Sequence, residues 1–219
     1  SSSPMFKKYL RDAFSVNVIG FINILNAAKE NNVKKVIYAS TSSIYGNNPV
    51  PLREDMKVIP PNFYAASKLA REHLANIFSQ EYGVDTVGFR YMSVYGPKEE
   101  GKGIFANLVS QFLWSMQKGE APVIYGDGKQ TRDFVYVKDV VAANILAMER
   151  GRGSEVFNIG TGKATSLNEL VALLNASDSH TVLGRRDHAL LLFLARTGAR
   201  VSEAIGIDGF REVREKIGE

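Results

Sequence analysis

Apolar positions change their period several times along the chain, and those changes mark out its elements. Between residues 17 and 30, NVIGFINILNAAKE, Ile19, Ile22, Leu25 and Ala27 or Ala28 recur at near-helical spacing, and Asn31-Asn32 closes the run. The next run, KKVIYAS (34–40), is short and apolar from Val36 to Ala39. Its β-branched content suits a strand covered on both faces, and the link before it has the length of an α/β connection. Residues 48–61 are polar and proline-rich, and Pro60-Pro61 oppose a helix before about Asn62. A helix is predicted from Tyr64 to about Gln80, with Leu69, His73 or Leu74, and Phe78 as its stripe and Gly83 as its stop. VDTVGFRYMSVYG (84–96) reads as a second strand and the loop after it.

Helical spacing returns at 103–118, with Phe105, Leu108, Phe112 and Met116 on one side. Asp127-Gly128 is a turn signal between short apolar runs. KDVVAANILAMERG (138–151) is predicted helical, with Asp139 near its start, where the helix dipole favours an acid. EVFNIGTGK (155–163) reads as a strand ending in a glycine turn. SLNELVALLN (166–175) reads as a helix opened by the capping-box pair Ser166 and Glu169. After Asn175 the character changes: RRDHALLLFLARTG (185–198) is a very apolar helix stopped by Gly198, VSEAIGI (201–207) a short second helix, and the tail is charged. The pattern predicts an α/β region over 1–175 and a small helical C-terminal segment over 176–219, with the boundary inside 176–184.

Composition narrows the class. The 219 residues suffice for one large domain or two small ones, and 45% hydrophobic with 23% charged residues is ordinary for a globular chain. No apolar run approaches the length of a membrane span, and the N-terminus has no secretion-type apolar core. Cysteine is absent, which excludes disulfides, thiol catalysis and thiolate metal sites and fits a reducing, cytoplasmic setting. His73, His180 and His188 have no ligand spacing, so no metal site is expected. A net charge of +4 is compatible with a nucleotide-sized anion or a nucleic acid.

The candidate chemistry lies between Lys34 and Lys68. The strand opens into hydroxyls at Ser40, Thr41, Ser42 and Ser43, and Tyr64 and Lys68, four residues apart, share one helix face. A phenol, an ammonium and a strand-end hydroxyl form a proton-handling set. Both strands lead into a Tyr-Gly pair, Tyr45-Gly46 and Tyr95-Gly96, and open α/β sheets gather ligands at the carboxyl ends of their strands. The plainer readings are a surface tyrosine beside a solvated lysine, a strand-end hydroxyl at Thr41, and a turn charge at Arg132.

ASTSSIYG (39–46), YAASK (64–68), FRYMSVYGP (89–97), GDGKQTRDFVYVKDV (126–140) and FNIGTGK (157–163) occur in an order that resembles the extended short-chain dehydrogenase family. Within that family they are most similar to NAD-dependent nucleotide-sugar epimerases of the UDP-galactose 4-epimerase type, over roughly residues 15–175. The resemblance implies a partial Rossmann-like parallel sheet with flanking helices, NAD as cofactor and a UDP-sugar as partner. It also implies epimerisation at C4 through a 4-keto sugar. Tyr64 would be the base, Thr41 would bridge the proton, and Lys68 would hold the nicotinamide ribose and lower the phenol's pKa. Ser40 and Tyr64 join Lys68 as cofactor contacts, and Ser42, Ser93 and Arg132 are the substrate contacts. A guanidinium such as that of Arg132 suits a diphosphate.

Serines at 42 and 43, where dehydratase relatives carry an acid pair, disfavour dehydration. Ser93 stands where the family commonly has asparagine, and Phe63 where proline is usual. No Gly-x-x-Gly-x-x-Gly turn for a pyrophosphate is present in residues 1–219. About three βα units of the family are thus unmatched, which leads us to expect open strand edges and weak NAD binding.

RRDHALLLFLARTGARVSEAIGI (185–207) resembles a tyrosine recombinase or phage integrase around its first catalytic arginine, which would be Arg200. Two alternatives to an epimerase therefore stand: a DNA-binding or recombinase-derived fragment, and a non-catalytic assembly fragment that forms homo-oligomers.

Overall fold

A computed structural model describes residues 3–175. They fall into two compact units, one made of residues up to Tyr91 with Ala143–Asn158, the other of Met92–Ala142 with residues from Ile159 onward. The recombinase-like stretch, Arg200 and the expected C-terminal helices lie outside the described residues.

The first unit opens with α1 (Ser3–Lys8) and α2 (Leu10–Phe14), two short helices with no counterpart in the sequence reading. A π-helical turn, Ser15–Ile19, follows and runs into α3 (Gly20–Glu30). The π turn takes more residues per turn than an α-helix, so it rotates everything before Gly20 relative to the α3 stripe. That rotation is why Ile19, expected in the stripe, is 53% exposed while Asn17 is buried, and why Phe21, Leu25 and Ala28 form the packed face.

β1 (Lys35–Ala39) pairs in parallel with β2 (Asp85–Tyr91), from Lys35 opposite Asp85 to Ala39 opposite Phe89. The long helix α4 (Phe63–Tyr82) connects them, as a parallel crossover requires. Its ends follow local chemistry. Asn62 accepts from the Ala65 amide at 2.9 Å at the N-terminus, and Gly83, at φ 68°, closes the C-terminus with its N–H on the Ser79 carbonyl. Phe21 and Leu25 of α3, Tyr38 of β1, Ala75 and Phe78 of α4, and Val84 make one core. Burying each large side chain there contributes roughly 1.5–3 kcal/mol.

The face that α4 buries differs from the expected stripe. His73 is exposed and Leu69 and Leu74 are only half-buried, whereas Lys68 and Glu72 are buried. β6 (Ser154–Ile159) completes a three-stranded sheet of order β1-β2-β6, which leaves β1 as an edge strand among the described residues.

In the second unit β3 (Ser93–Tyr95) pairs in parallel with β5 (Phe134–Tyr136), and β4 (Thr131–Arg132) pairs antiparallel with β7 (Thr165–Ser166). A 3₁₀ segment, Glu100–Phe105, precedes α5 (Leu108–Gln117). The helix expected from 103 starts late because Gly103 is left-handed, Ala106 is extended and Asn107 caps α5. Phe105 consequently sits outside the helix and is exposed, while Val109 and Phe112 join the core.

The helix expected over 138–151 is α6 (Val137–Arg150), and α7 spans Leu167–Asn175. The expected capping box is present: the Ser166 N–H donates to Glu169 Oε2 at 2.8 Å and the Glu169 N–H to Ser166 Oγ at 3.2 Å. Tyr95, Phe112, Phe134, Tyr136, Leu167 and Leu170 anchor this unit's core. Among the described residues no helix is long and apolar enough to cross a membrane.

Candidate active site

Two adjacent elements of the first unit carry the candidate chemistry. β1 ends at Ala39, and the chain passes through buried Ser40 and Thr41 into a 3₁₀ turn, Ser42–Tyr45. Thr41 is extended and caps that turn by accepting the Ser43 N–H at 3.2 Å, which fixes its hydroxyl oxygen at the strand end while leaving its own proton free to donate. Ser42 is half-buried and Ser43 exposed.

Tyr64 and Lys68 lie on the first two turns of α4, where the Asn62 cap holds the helix start. Lys68 is 7% exposed, and its ammonium donates to the Ala39 carbonyl at 3.2 Å. That ammonium lies 5.8 Å from the centre of the Tyr64 ring. Among the described residues no carboxylate pairs with it. Burial, and then the charge of Arg71, push the Lys68 pKa down to about 8. The Arg71 guanidinium stacks 4.3 Å above the Phe21 ring, and burial lowers its pKa too. Tyr64 is half-buried, with the Phe6 ring edge-on at 5.7 Å.

Ser40, read from the sequence as a cofactor contact, is 3% exposed and donates its hydroxyl proton to Glu72. The Glu72 carboxylate also receives Arg90 through two bonds, Nε at 3.1 Å and Nη2 at 2.8 Å. Neither Glu72 nor Arg90 was singled out from the sequence. Glu72 at i+4 from Lys68 was the available signal, since it places an acid on the face that carries the lysine. Asn17 was also missed. It reaches from the π turn to donate to Ser67 Oγ at 3.0 Å, and Ser67 donates to the Tyr64 carbonyl at 2.8 Å. A buried asparagine in a π turn has no periodicity signal, because the π turn itself breaks the period.

Ser93 and Arg132 belong to the second unit. Ser93 accepts from Asn107 Nδ2 at 2.9 Å. Arg132 is exposed on β4, where its guanidinium donates to the Thr131 carbonyl at 2.8 Å. The glycine turn of FNIGTGK is not a vacant phosphate seat: the N–H groups of Thr161 and Gly162 and the Thr161 hydroxyl all donate to the Asp133 carboxylate.

The structure therefore brings Thr41, Tyr64 and Lys68 into one unit, with Ser40 and Ser42 beside Thr41, and places Ser93 and Arg132 in the other. Lys68 has donor capacity beyond its bond to Ala39 and lies 5.8 Å from the centre of the Tyr64 ring. This donor set fits the nicotinamide-ribose end of a dinucleotide.

Residues 4–160 match the NAD dependent epimerase/dehydratase family. UDP-glucose 4-epimerase of Mycolicibacterium smegmatis is 39% identical over 158 residues, covering 71% of this chain and 50% of that protein. The chain thus spans about half the length of the curated relatives it matches. The structure of UDP-glucose 4-epimerase from Thermotoga maritima with UDP-glucose superimposes with a TM-score of 0.75 at 38% identity, over 82% of this chain and 60% of that one. That of the Thermus thermophilus UDP-glucose 4-epimerase complex with NAD gives 0.66 at 36% identity, over 73% and 53%. The parallel sheet with flanking helices is thus Rossmann-like, and with most of its described length inside the match, the chain belongs to the NAD dependent epimerase/dehydratase family.

Proposed function

We propose that Thr41, Tyr64 and Lys68 perform the proton transfers of an NAD-dependent nucleotide-sugar epimerase acting at C4 of a UDP-hexose. The observation that carries this reading is the buried Lys68 ammonium, one helical turn from Tyr64, with no carboxylate partner among the described residues. A buried cation without an acid is costly, and it is retained where its charge or its hydrogen bonds are used. Relatives of this chain include a UDP-glucose 4-epimerase and a 4-epimerase structure with NAD bound.

In this reading the Tyr64 phenolate takes the proton of the sugar 4-hydroxyl, and Thr41 passes or steadies that proton by donating its own. The Lys68 ammonium would hold the nicotinamide ribose through the donor capacity left beyond its bond to Ala39. Bound there, the cofactor would supply reversible hydride transfer at C4, and Tyr64 would return to the C4 oxygen the proton it had taken. Ser42, half-buried beside Thr41, contacts the nucleotide sugar, while the Ser40 hydroxyl is engaged with Glu72 and takes no part in the cofactor surface. The serines at 42 and 43 offer no acid for dehydration, which favours epimerisation over the other chemistry in the family's name.

Amine-directed labelling of Lys68 tests the reading. Millimolar NAD is expected to protect Lys68 from acylation. Interconversion of UDP-glucose and UDP-galactose under the same conditions should fall by about 10²–10⁴-fold in Tyr64→Phe, the usual range for a lost general base. Equal labelling of Lys68 with and without NAD would overturn the assignment.

A further inference from the structure

Beneath the proposed proton-transfer set lies a buried polar network that the chemistry does not use. Two consecutive residues of the β1 strand end are tied to two positions of α4 one turn apart. The Ala39 carbonyl accepts from Lys68, and the Ser40 hydroxyl donates to Glu72. Glu72 is held in turn by the two-bond contact with Arg90 on the neighbouring strand β2, with both side chains buried. Arg90 donates further to the Tyr45 hydroxyl at 2.8 Å, and Tyr45 to Asn158 on β6 at 2.8 Å. The chain of contacts thus crosses all three strands of the sheet. Burial works against the Arg90 charge, but the bonds to Glu72 and Tyr45 more than offset it and raise its pKa.

A buried ion pair of this kind is a poor source of stability, because apolar residues of similar volume often serve as well or better. What it supplies is direction. Glu72 Oε1 serves both Ser40 and Arg90, and Oε2 is bonded to Arg90. If α4 slid or rotated by one residue against β1, it would leave both charges buried and unpaired.

We infer that Glu72 and Arg90 are a positioning pair that sets the strand end carrying Thr41 in register with the helix turn carrying Tyr64 and Lys68. The inference rests on the proton-transfer role proposed above for those three residues. Glu72 and Arg90 are not catalytic residues: they act through Ser40 and through the seat of Lys68.

The test reads Lys68 in the full chain. With ¹³Cε-labelled lysine and Lys68→Met for assignment, NMR follows its titration, which starts from about 8 in the parent chain. The groups facing it are Tyr64 and Arg71 on α4 and the Ala39 carbonyl on β1. Arg90→Lys keeps the charge but loses the two-bond grip, and Ser40→Ala removes only the β1 anchor. In both, a loosened and hydrated Lys68 is expected to titrate about one pH unit higher, with the circular dichroism unchanged. An unchanged Lys68 titration in folded Ser40→Ala overturns the inference, even where Arg90→Lys does not fold. The titration needs no cofactor, so it decides the positioning pair in a chain that fails to bind NAD, whereas the labelling experiment decides the proposed chemistry.

Discussion

Lys68 concentrates the physics of this protein at the residue scale. Its folded pKa of about 8 lies below the ordinary lysine value of 10.5. Between those two values the unfolded chain binds more protons than the folded one, so stability rises with pH across that window. Below it the full cost of burying the cation is present. Lys68→Met should therefore be more stable than the parent near pH 7, and the advantage should shrink toward pH 10.5. Each pKa unit corresponds to about 1.4 kcal/mol, and urea unfolding of both proteins at several pH values measures the effect. For activity the sign is opposite: the ammonium that the proposed reading assigns to the nicotinamide ribose is lost as pH rises through about 8, so NAD-dependent turnover is expected to decline on that limb.

Gly88 illustrates a different constraint at the same scale. A Cβ there would meet the Tyr38 hydroxyl at 2.6 Å, within a rigid and buried ring. Gly88→Ala is expected to destabilise by roughly 1–3 kcal/mol in urea unfolding, as overpacking does.

Among the elements, α4 is the one on which the site depends, and its first turn is set by a single side chain. Asn62 caps the Ala65 N–H next to Tyr64. Asn62→Ala should lower stability by about 1 kcal/mol in thermal unfolding and fray the turn that carries the phenol. On α7, Ser166→Ala removes one half of the capping box at a similar cost of about 1 kcal/mol, with no effect on Lys68 titration. Ser166 with Glu169 was legible in the sequence as a motif, whereas Pro60-Pro61 marked only where a helix is first allowed, and the Asn62 cap emerged from the structure. The starts of α3 and α5 were less legible. A π turn at Ser15–Ile19 and a left-handed Gly103 reset the helical phase, and neither leaves a period in the sequence.

For the whole molecule, two units with separate cores make separate probes useful. Trp114, the single tryptophan, lies on α5 in the second unit. Leu170 is buried in that unit's core, and Leu170→Ala should displace the tryptophan-fluorescence unfolding transition by about 2–5 kcal/mol.

By itself the sequence determined the alternation of helices and strands, the Rossmann-like class, the family, and the pairing of Tyr64 with Lys68. The alternation rests on short-range spacing, a period of 3.6 or 2 or a cap, and the class and family on the resemblance of five motifs in order along the chain. Only the tertiary structure decided which face of α4 is buried, that Lys68 is desolvated, and that Ser40 is bound to Glu72 rather than left open. It also decided that Arg90, eighteen residues from Glu72 in the chain, closes the network behind the site. A sequence records charge and polarity at each position. Whether a charge is solvated or buried, and which distant partner meets it, follows from the packing of strands against helices, and that packing is what pushes the pKa of Lys68 down to about 8.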